Sequence, residues 1–285
     1  MLKEVVYFHI GQDDYLTHSI KQLLHHNPDL KVYLIGKNVP EQAKELTHFY
    51  EMESLYCKQT YNFLNNFKNY STNNAEFEKI CILRWFLIRN LCRIKEIKNT
   101  FYLDSDVLIY CKLNKELKKF NNFRYSLTCN TSAGILYVTD IKVFDDYLNL
   151  VDGFYCPSQQ NLLFKNKFSF SYISKKTIND YNIRLQHNMP GGVCDMTFWN
   201  ILRSHDEPTM VGELSTFGMD GETMFDHNIN ESNMFKTENN IKKFIWKNKL
   251  PYSENLFLGK LIRFNCIHFQ GYETKKLIEH FITYD

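Results

Sequence analysis

Two carboxylates stand one residue apart in the middle of the chain, at Asp104 and Asp106. They follow the apolar run Phe101–Leu103, which predicts a buried strand, and charged groups in such a place are costly unless they are solvated, paired or bound to a metal. Ligands of open parallel sheets bind at the carboxyl ends of the strands, and carboxylate oxygens suit hard cations such as Mn²⁺ or Mg²⁺. The pattern therefore predicts a metal site, with a solvated strand-ending turn as the alternative.

A second polar group lies near the carboxyl end of the sequence, where His268 and Gly271 are followed by Lys275 and Lys276. An imidazole at the end of a strand suits a third ligand position on a carboxylate-bound metal. The glycine lets the backbone approach a phosphate, and the two lysines add positive charge. The alternative is a buried structural histidine followed by a solvated lysine pair, and these residues considered alone favour it.

An Asp-x-Asp motif after a buried strand also occurs in haloacid-dehalogenase-like phosphatases. Their motif normally continues with Thr or Val two residues after the second Asp, and it stands near the start of the domain. Here that position is Leu108, and a hundred residues precede the motif. The pattern therefore argues against such a phosphatase.

Taken together, the mid-chain Asp-x-Asp and the later His-Phe-Gln-Gly segment resemble metal-dependent glycosyltransferases of the GT-A type. The resemblance is closest to the branch that contains bacterial lipopolysaccharide galactosyl- and glucosyltransferases and glycogenin. By position, it implies that Asp104, Asp106 and His268 bind Mn²⁺ (or Mg²⁺). It also implies that a lysine contacts the donor diphosphate; the usual position holds Thr274, so Lys275 is the nearest candidate. The same resemblance assigns three residues to donor binding along with this lysine: Asp104, Ser105 and Gly271.

Two further regions fit this resemblance. Such enzymes read the nucleobase and ribose with the loop after the first strand, here Ile10–Tyr15, so Asp13 or Asp14 would accept a hydrogen bond and Tyr15 would stack on the base. They also carry an arginine on the helix before the Asp-x-Asp, where this chain has Arg84. The alternatives are helix capping for the two acids and a surface position for the arginine.

The segment around Gly191 and Gly192 is the remaining dense cluster, because Asp195 follows at the start of a predicted helix. This carboxylate would orient the acceptor hydroxyl, or act as the catalytic base if the reaction inverts. The alternative is that Asp195 caps the helix. A loop that could close over the donor holds three more acids: Asp220, Glu222 and Asp226.

Composition excludes several classes of protein. The 34 Lys and Arg nearly balance the 32 Asp and Glu, which argues against nucleic-acid binding. None of the eight cysteines forms a Cys-x-x-Cys pair, which argues against a zinc ribbon or a thioredoxin-like site. No long apolar run or signal peptide is evident, so we expect a cytoplasmic protein. The lysine-rich stretch Lys242–Lys249 leaves a peripheral contact with the inner face of a membrane open, although a solvated helix face is favoured. The oligomeric state is not predicted.

The order of elements predicts the class of fold. Val5–Ile10, Thr17–His26 and Lys31–Ile35 read as strand, helix and strand, which is a βαβ opening with a parallel sheet. The other predicted helices are Pro40–Tyr50, Glu76–Ile97, Asp140–Leu150, Asp195–Ser204 and Thr274–Ile282. The other predicted strands are Phe101–Leu103, Val107–Tyr110, Tyr125–Cys129, Gly134–Val138, Phe168–Tyr172 and Leu261–Phe269, with loops at Asn62–Asn74 and Leu214–Asn240.

These patterns and the resemblance together predict one α/β domain over residues 1–285, of the Rossmann-like GT-A type, with a mixed central sheet and helices on both sides. Residues 1–112 would form the nucleotide-binding half and residues 113–285 the acceptor-side half. The implied function is transfer of a sugar from a nucleotide-sugar donor, by resemblance a UDP-sugar, to a saccharide or glycolipid acceptor in polysaccharide or lipopolysaccharide assembly. The alternatives are a sugar-nucleotide nucleotidyltransferase and a non-catalytic binding protein, and retention or inversion stays undecided.

Overall fold

The computed structural model describes residues 1–156, 170–216 and 221–284. The chain forms two compact units, and each is built from more than one stretch of sequence. The first unit comprises Met1–Glu51, Asn99–Thr139 and Thr209–Asp285, and the second comprises Met52–Lys98 and Asp140–Pro208. A single domain with halves that meet near residue 112 stays a prediction.

All strands of the described residues belong to the first unit. In chain order they are β1 Glu4–Ile10, β2 Lys31–Lys37, β3 His48–Glu51, β4 Thr100–Leu103, β5 Val107–Ile109, β6 Tyr125–Thr128, β7 Ser132–Val138, β8 Val211–Glu213, β9 Thr223–Phe225, β10 Thr237–Glu238, β11 Ile241–Lys242, β12 Ile245–Lys247, β13 Leu250–Asn255 and β14 Lys260–His268.

Seven of these strands form a central sheet in the order β3-β2-β1-β4-β7-β6-β8. Strands β3, β2, β1 and β4 run parallel to one another, whereas β7 is antiparallel to both of its neighbours. The predicted α/β class and mixed central sheet are therefore confirmed. Tyr7 of β1 lies beside Leu103 of β4, so these two parallel strands end at the same edge of the sheet.

A second sheet is built around β14. This strand pairs with β13 and β5 in antiparallel fashion and with β9 in parallel, and β12 pairs with β13. Strands β10 and β11 form a separate two-stranded ribbon. The register of β14 against β5 places His268 opposite Val107, directly after Asp106. Residues that are 162 positions apart in sequence thereby become neighbours, as a metal site of this composition requires.

The helices of the first unit are α1 Tyr15–His26, α2 Glu41–Glu45, α5 Leu113–Glu116 and α9 Tyr272–Lys275. The helices of the second unit are α3 Lys58–Asn66, α4 Ala75–Ile94, α6 Lys142–Tyr155, α7 Phe170–Gln186 and α8 Asp195–His205. Aromatic rings fill the interior of the second unit, where Trp199 lies 5.2 Å from Trp85 and 4.5 Å from Tyr147 between ring centroids. Within the described ranges, no helix combines the length and the apolar character needed to cross a bilayer.

Two predicted elements of the first half are wrong. The predicted helix Pro40–Tyr50 is helical only as α2, because the exposed edge of β2 offers hydrogen bonds to β3. The predicted loop Asn62–Asn74 begins inside helix α3, which buries Phe63 against Phe86 with ring centroids 5.0 Å apart. Tertiary packing outweighs local preference in both cases.

Three predictions in the second half are also corrected. Residues 170–172 of the predicted strand Phe168–Tyr172 belong to helix α7, and residues 168 and 169 lie outside the described residues. The predicted closing helix Thr274–Ile282 is replaced by the four-residue helix α9 and a 3₁₀ turn at Ile278–Phe281. The stretch Lys242–Lys249 forms short strands and no helix face, and Lys242 is buried.

Candidate active site

The chain turns sharply between β4 and β5, and this turn carries the Asp-x-Asp motif. The Asp104 amide donates a hydrogen bond to the Gly134 carbonyl of β7 at 2.7 Å, and the Val107 amide donates to the Asp104 carbonyl at 3.3 Å. At the end of β14, the Phe269 amide donates to the Asp106 carbonyl at 3.0 Å. Backbone hydrogen bonds from two sheets therefore hold the motif and His268 together.

The side chains of Asp104, Asp106 and His268 converge, with one ligand atom from each within 4.8 Å of the others. Asp106 Oδ1 lies 3.3 Å from His268 Nε2, and Asp106 Oδ2 lies 3.2 Å from Lys275 Nζ. The Tyr102 hydroxyl donates a hydrogen bond to Asp104 Oδ1 at 2.7 Å, which orients that carboxylate. The structure thus brings the three predicted metal ligands and the predicted phosphate-binding lysine into one cluster.

Burial and charge act in opposite directions in this cluster. Burial alone would raise the pKa of Asp106, but the charges of His268 and Lys275 outweigh it and lower that pKa to about 2. Burial alone would lower the pKa of His268, but the nearby carboxylates, Asp106 foremost, raise it to about 9. In the absence of a metal, the imidazolium and Lys275 therefore compensate the charge of a buried carboxylate.

The donor set fits a divalent cation. Two carboxylates and an imidazole are ligands that Mn²⁺ accepts readily and that Mg²⁺ tolerates. Asp106 Oδ1 faces His268 Nε2 at 3.3 Å without a well-aligned hydrogen bond, and His268 Nδ1 is buried without a hydrogen-bond partner among the described residues, so both side chains retain capacity for another ligand. Gly134 keeps space open beside them, because a Cβ atom there would lie 2.6 Å from Asp104 Oδ2.

A cavity of about 360 Å³ is lined by four of the nine residues predicted to bind the donor: Asp13, Asp14, Tyr15 and Lys275. Its walls are formed by Asp13, Asp14, Tyr15, His18, Tyr272, Lys275, Lys276, Ile278 and Glu279. Lys275 Nζ lies 5.0 Å from the centroid of the Tyr15 ring and connects this cavity to the carboxylate cluster. A cavity with an aromatic ring, acidic hydrogen-bond acceptors and a lysine has the polar and apolar groups that a nucleotide needs.

Ile10, Asp14 and Gly271 lie at the ends of secondary-structure elements. Asp14 stands at the N-cap position of α1 but makes no capping hydrogen bond through its side chain, so the capping alternative is wrong for this residue. Ile10 ends β1 and is partly exposed. Gly271 precedes α9 with a φ of +105°, a left-handed conformation that favours glycine.

His9 is a site residue that sequence reasoning missed. Its Nδ1 lies 2.9 Å from Ser105 Oγ, and its Nε2 lies 3.4 Å from Asp13 Oδ2. Burial lowers the pKa of His9 more than the neighbouring carboxylates raise it. The signal was available, because His9 is a polar residue near the carboxyl end of a predicted buried strand, as Asp104 is.

Arg84 and Asp195 both belong to the second unit, where they form an ion pair. Trp85 Nε1 donates to Asp195 Oδ2 at 3.3 Å, and the Tyr147 hydroxyl donates to the Asp195 carbonyl at 3.2 Å. The N-cap of α8 is Cys194, so the capping alternative for Asp195 is wrong, and the surface alternative for Arg84 is wrong because its side chain is only 13% exposed. Their roles in donor and acceptor binding stay predictions.

The three acids predicted for a closing loop have different surroundings. Asp220 lies outside the described residues, and Glu222 is exposed. Asp226 is fully buried, pairs with Lys242 at 2.8 Å and accepts a hydrogen bond from the His268 amide at 3.2 Å. Asp226 therefore has a structural position beneath the site, and a role in a moving lid is wrong for it.

No protein-family model and no curated protein matches the chain. Among solved structures, the chain is similar to the galactosyltransferase LgtC in complex with donor and acceptor sugar analogs, with 11% identity, 98% of this chain and 96% of that chain covered, and a TM-score of 0.47. It is also similar to mouse xyloside xylosyltransferase 1, with 11% identity, 78% and 87% covered, and a TM-score of 0.43.

The glycosyltransferase GlyE of Streptococcus pneumoniae TIGR4 is a third similar structure, with 16% identity and a TM-score of 0.36. The alignment covers 75% of this chain and 45% of the GlyE chain, so this chain matches less than half the length of that protein. All three similar structures are glycosyltransferases.

Proposed function

We propose that this protein is a metal-dependent glycosyltransferase that uses a nucleotide-sugar donor, with a UDP-sugar as the first candidate. One observation carries the proposal: Asp104, Asp106 and His268 converge, and Lys275 connects them to the cavity that holds Tyr15. This arrangement offers a metal ligand set, a phosphate-binding cation and a base-stacking ring side by side. A nucleoside diphosphate presents the matching groups in the same order.

Glycosyl transfer requires the nucleoside diphosphate to leave with its negative charge. Asp104, Asp106 and His268 would hold Mn²⁺ or Mg²⁺, which when bound supplies positive charge to that leaving group. Lys275 is half-buried beside Asp106 and adds a second cation from the protein itself. A cation held in advance where charge develops lowers the barrier without reorganisation at the moment of reaction.

The loop after β1 recognises the donor. Tyr15 stacks on the base, and Asp13 or Asp14 accepts hydrogen bonds from the base or the ribose. Ile10, Ser105 and Gly271 offer close backbone approach around the nucleotide, and Arg84 contributes to donor binding.

Asp195 orients the acceptor hydroxyl or removes its proton, and the acceptor is a saccharide or a glycolipid. If the acceptor is a glycolipid, the protein would also contact the membrane surface in which that lipid lies.

A nucleotidyltransferase that makes sugar nucleotides is the competing enzyme. Such enzymes carry a glycine-rich basic loop after the first strand, to hold a triphosphate. In this chain that loop reads Gly11-Gln12-Asp13-Asp14, which is acidic. The loop is neither glycine-rich nor basic, so it lacks the groups with which a nucleotidyltransferase holds a triphosphate, and this favours the transferase.

Differential scanning fluorimetry tests the donor site. We expect UDP with Mn²⁺ to raise the melting temperature of the wild type, and GDP or CMP to do so less. Asp106→Asn should lose this shift, because it removes a charged ligand of the metal. Asp29→Asn, an exposed acid in the turn between α1 and β2, is the matched control and should keep it. No shift with any of the three nucleotides would overturn the assignment.

Turnover separates an enzyme from a non-catalytic binding protein on the same scaffold. Many transferases slowly release sugar to water when no acceptor is present. We expect Mn²⁺-dependent hydrolysis of one UDP-sugar by the wild type and none by Asp106→Asn. Nucleotide binding without hydrolysis or transfer would instead identify a binding protein.

A further inference from the structure

A second group of metal-ligating side chains lies in the first unit, apart from the residues used above. Cys129, His227 and Glu231 each offer one ligand atom within 4.8 Å of the other two. Neither the donor cavity nor the Asp-x-Asp cluster contains any of the three. They come from the turn between β6 and β7 and from the segment that follows β9.

Hydrogen bonds hold the cysteine in place. Cys129 adopts a φ of +46° in its turn, and its amide donates to Ser215 Oγ at 2.9 Å. The next amide, of Asn130, donates to the Glu213 carboxylate. The thiol therefore sits on a constrained turn, with a second carboxylate close by.

The other two side chains are fixed by the strand that carries His268. His227 follows the buried Asp226, and the Ile229 amide donates to the His268 carbonyl at 2.9 Å. His227 Nε2 lies 3.6 Å from Glu231 Oε1, and the His227 side chain is only 11% exposed. Its Nδ1 is buried and, among the described residues, has no hydrogen-bond partner. A buried imidazole with an unused ring nitrogen keeps capacity for one more interaction, by coordination or by hydrogen bonding.

The ligand types differ from those of the Asp-x-Asp cluster. A thiolate, an imidazole and a carboxylate form a ligand set typical of zinc, whereas thiolates are poor ligands for Mg²⁺ and Mn²⁺. We propose that Cys129, His227 and Glu231 bind Zn²⁺, with a fourth position left to solvent or to a ligand. Zinc binding would deprotonate the thiol, and the carboxylates of Glu213 and Glu231 add the negative charge that attracts the cation.

Binding at this site would join the β6–β7 turn to the segment after β9. That segment is hydrogen-bonded to His268, so zinc would stabilise the backbone on this side of the Asp-x-Asp cluster. The proposal does not depend on the glycosyltransferase function, because none of its ligands belongs to the donor site. The two proposals can therefore fail separately.

Titration of the full chain with Co²⁺ tests the proposal, because cobalt reports a thiolate ligand by a charge-transfer absorption band in the near ultraviolet. We expect this band in the wild type and in Asp106→Asn, and its loss in Cys129→Ser. Cys57→Ser is the matched control, since Cys57 is another half-buried free cysteine, and it should keep the band. Zn²⁺ should displace the cobalt and abolish the band.

A second measurement changes Glu231, the exposed ligand of the three, because a substitution at an exposed position should not disturb folding. Both variants are best made in the Asp106→Asn background, which weakens the other candidate cation site. In that background, Glu231→Gln should fold as its parent does and bind Zn²⁺ at least about tenfold more weakly by isothermal titration calorimetry. Zn²⁺ should raise the melting temperature of Asp106→Asn, but not of the Asp106→Asn/Cys129→Ser double variant. The absence of the cobalt band in the wild type, or its persistence in Cys129→Ser, would overturn the proposal.

Discussion

Gly134 and Asp104 approach each other so closely that a Cβ atom on the glycine would lie 2.6 Å from Asp104 Oδ2. The same added atom would lie 3.0 Å from His268 Cε1. The two residues are also joined by the hydrogen bond from the Asp104 amide to the Gly134 carbonyl. Strand β7 therefore shapes the candidate metal site by omitting a side chain, and the carboxylate and imidazole occupy the space that this leaves.

We expect Gly134→Ala to displace Asp104 or His268 and to weaken Mn²⁺ binding at least about tenfold. The extra methyl group should lower the free energy of unfolding by about 1–3 kcal/mol, as overpacking does elsewhere. Isothermal titration calorimetry and urea unfolding measure the two effects. Gly259→Asn is the control, since no atom lies within 4 Å of an added Cβ there and asparagine tolerates its φ of +62°. Unchanged Mn²⁺ affinity in Gly134→Ala would contradict the site.

Lys275 and Lys276 are adjacent lysines in different surroundings, which allows a matched comparison. Lys275 Nζ lies 3.2 Å from Asp106 Oδ2, whereas Lys276 pairs with Glu273 on the surface at 2.9 Å. We expect Lys275→Ala to weaken UDP binding about tenfold to a hundredfold, because a charge-assisted contact is worth about 1.5–3 kcal/mol. Lys276→Ala should weaken binding less, because Lys276 lines the cavity but Glu273 already neutralises its charge. Calorimetry with UDP and Mn²⁺ measures both, and equal effects would show that neither lysine is the specific contact.

Metal binding should depend on pH through His268. Burial lowers its pKa, but the carboxylates beside it raise that pKa to about 9, so the ring is protonated at pH 7 when no metal is bound. A metal takes the neutral imidazole, so binding below pH 9 must release this proton. We therefore expect the affinity for Mn²⁺ to rise by about tenfold per pH unit between pH 6.5 and 8.5.

Calorimetry in two buffers with different ionisation enthalpies measures the released proton directly. We expect about one proton per bound Mn²⁺ at pH 7, and none from this position in His268→Gln. An affinity that stays constant across this pH range would show that His268 is either neutral beforehand or not a ligand.

The sequence predicts the buried parts of this fold better than its edges. Strand β1, helix α1 and strand β2 form continuous apolar or amphipathic patterns, and each was predicted within two residues at either end. The local pattern of strand β3 predicts a helix, and the pairing of β3 with β2, which depends on residues distant in sequence, overrides that pattern. The local pattern of helix α3 predicts a loop, because polar residues surround Phe63, its main buried contact.

The candidate metal ligands could be predicted because their types are rare at the ends of buried strands. Their neighbours could not be predicted so easily. His9 lies beside the Asp-x-Asp motif because β1 pairs in parallel with β4, and Gly134 lies beside it because β7 pairs with β4. The Asp226–Lys242 pair is invisible in the sequence, since Lys242 looks like one member of a solvated lysine run. Register between strands is the information that local pattern lacks.

The Arg84–Asp195 ion pair should contribute strongly to the stability of the second unit. The two side chains are 13% and 6% exposed, so removal of the arginine leaves a buried carboxylate without its cation. We expect Arg84→Ala to lower the free energy of unfolding by about 3–5 kcal/mol, measured by urea denaturation. The Arg84→Ala/Asp195→Ala double variant should lose less than the sum of the single losses, because neither charge is then left unpaired.

Arg93 supplies the control from the same helix. It pairs with Asp145 at 2.8 Å, but the two side chains are 57% and 38% exposed, so water screens the pair. Arg93→Ala should therefore cost less than about 1 kcal/mol. If both arginine variants lose similar stability, burial does not distinguish the two pairs.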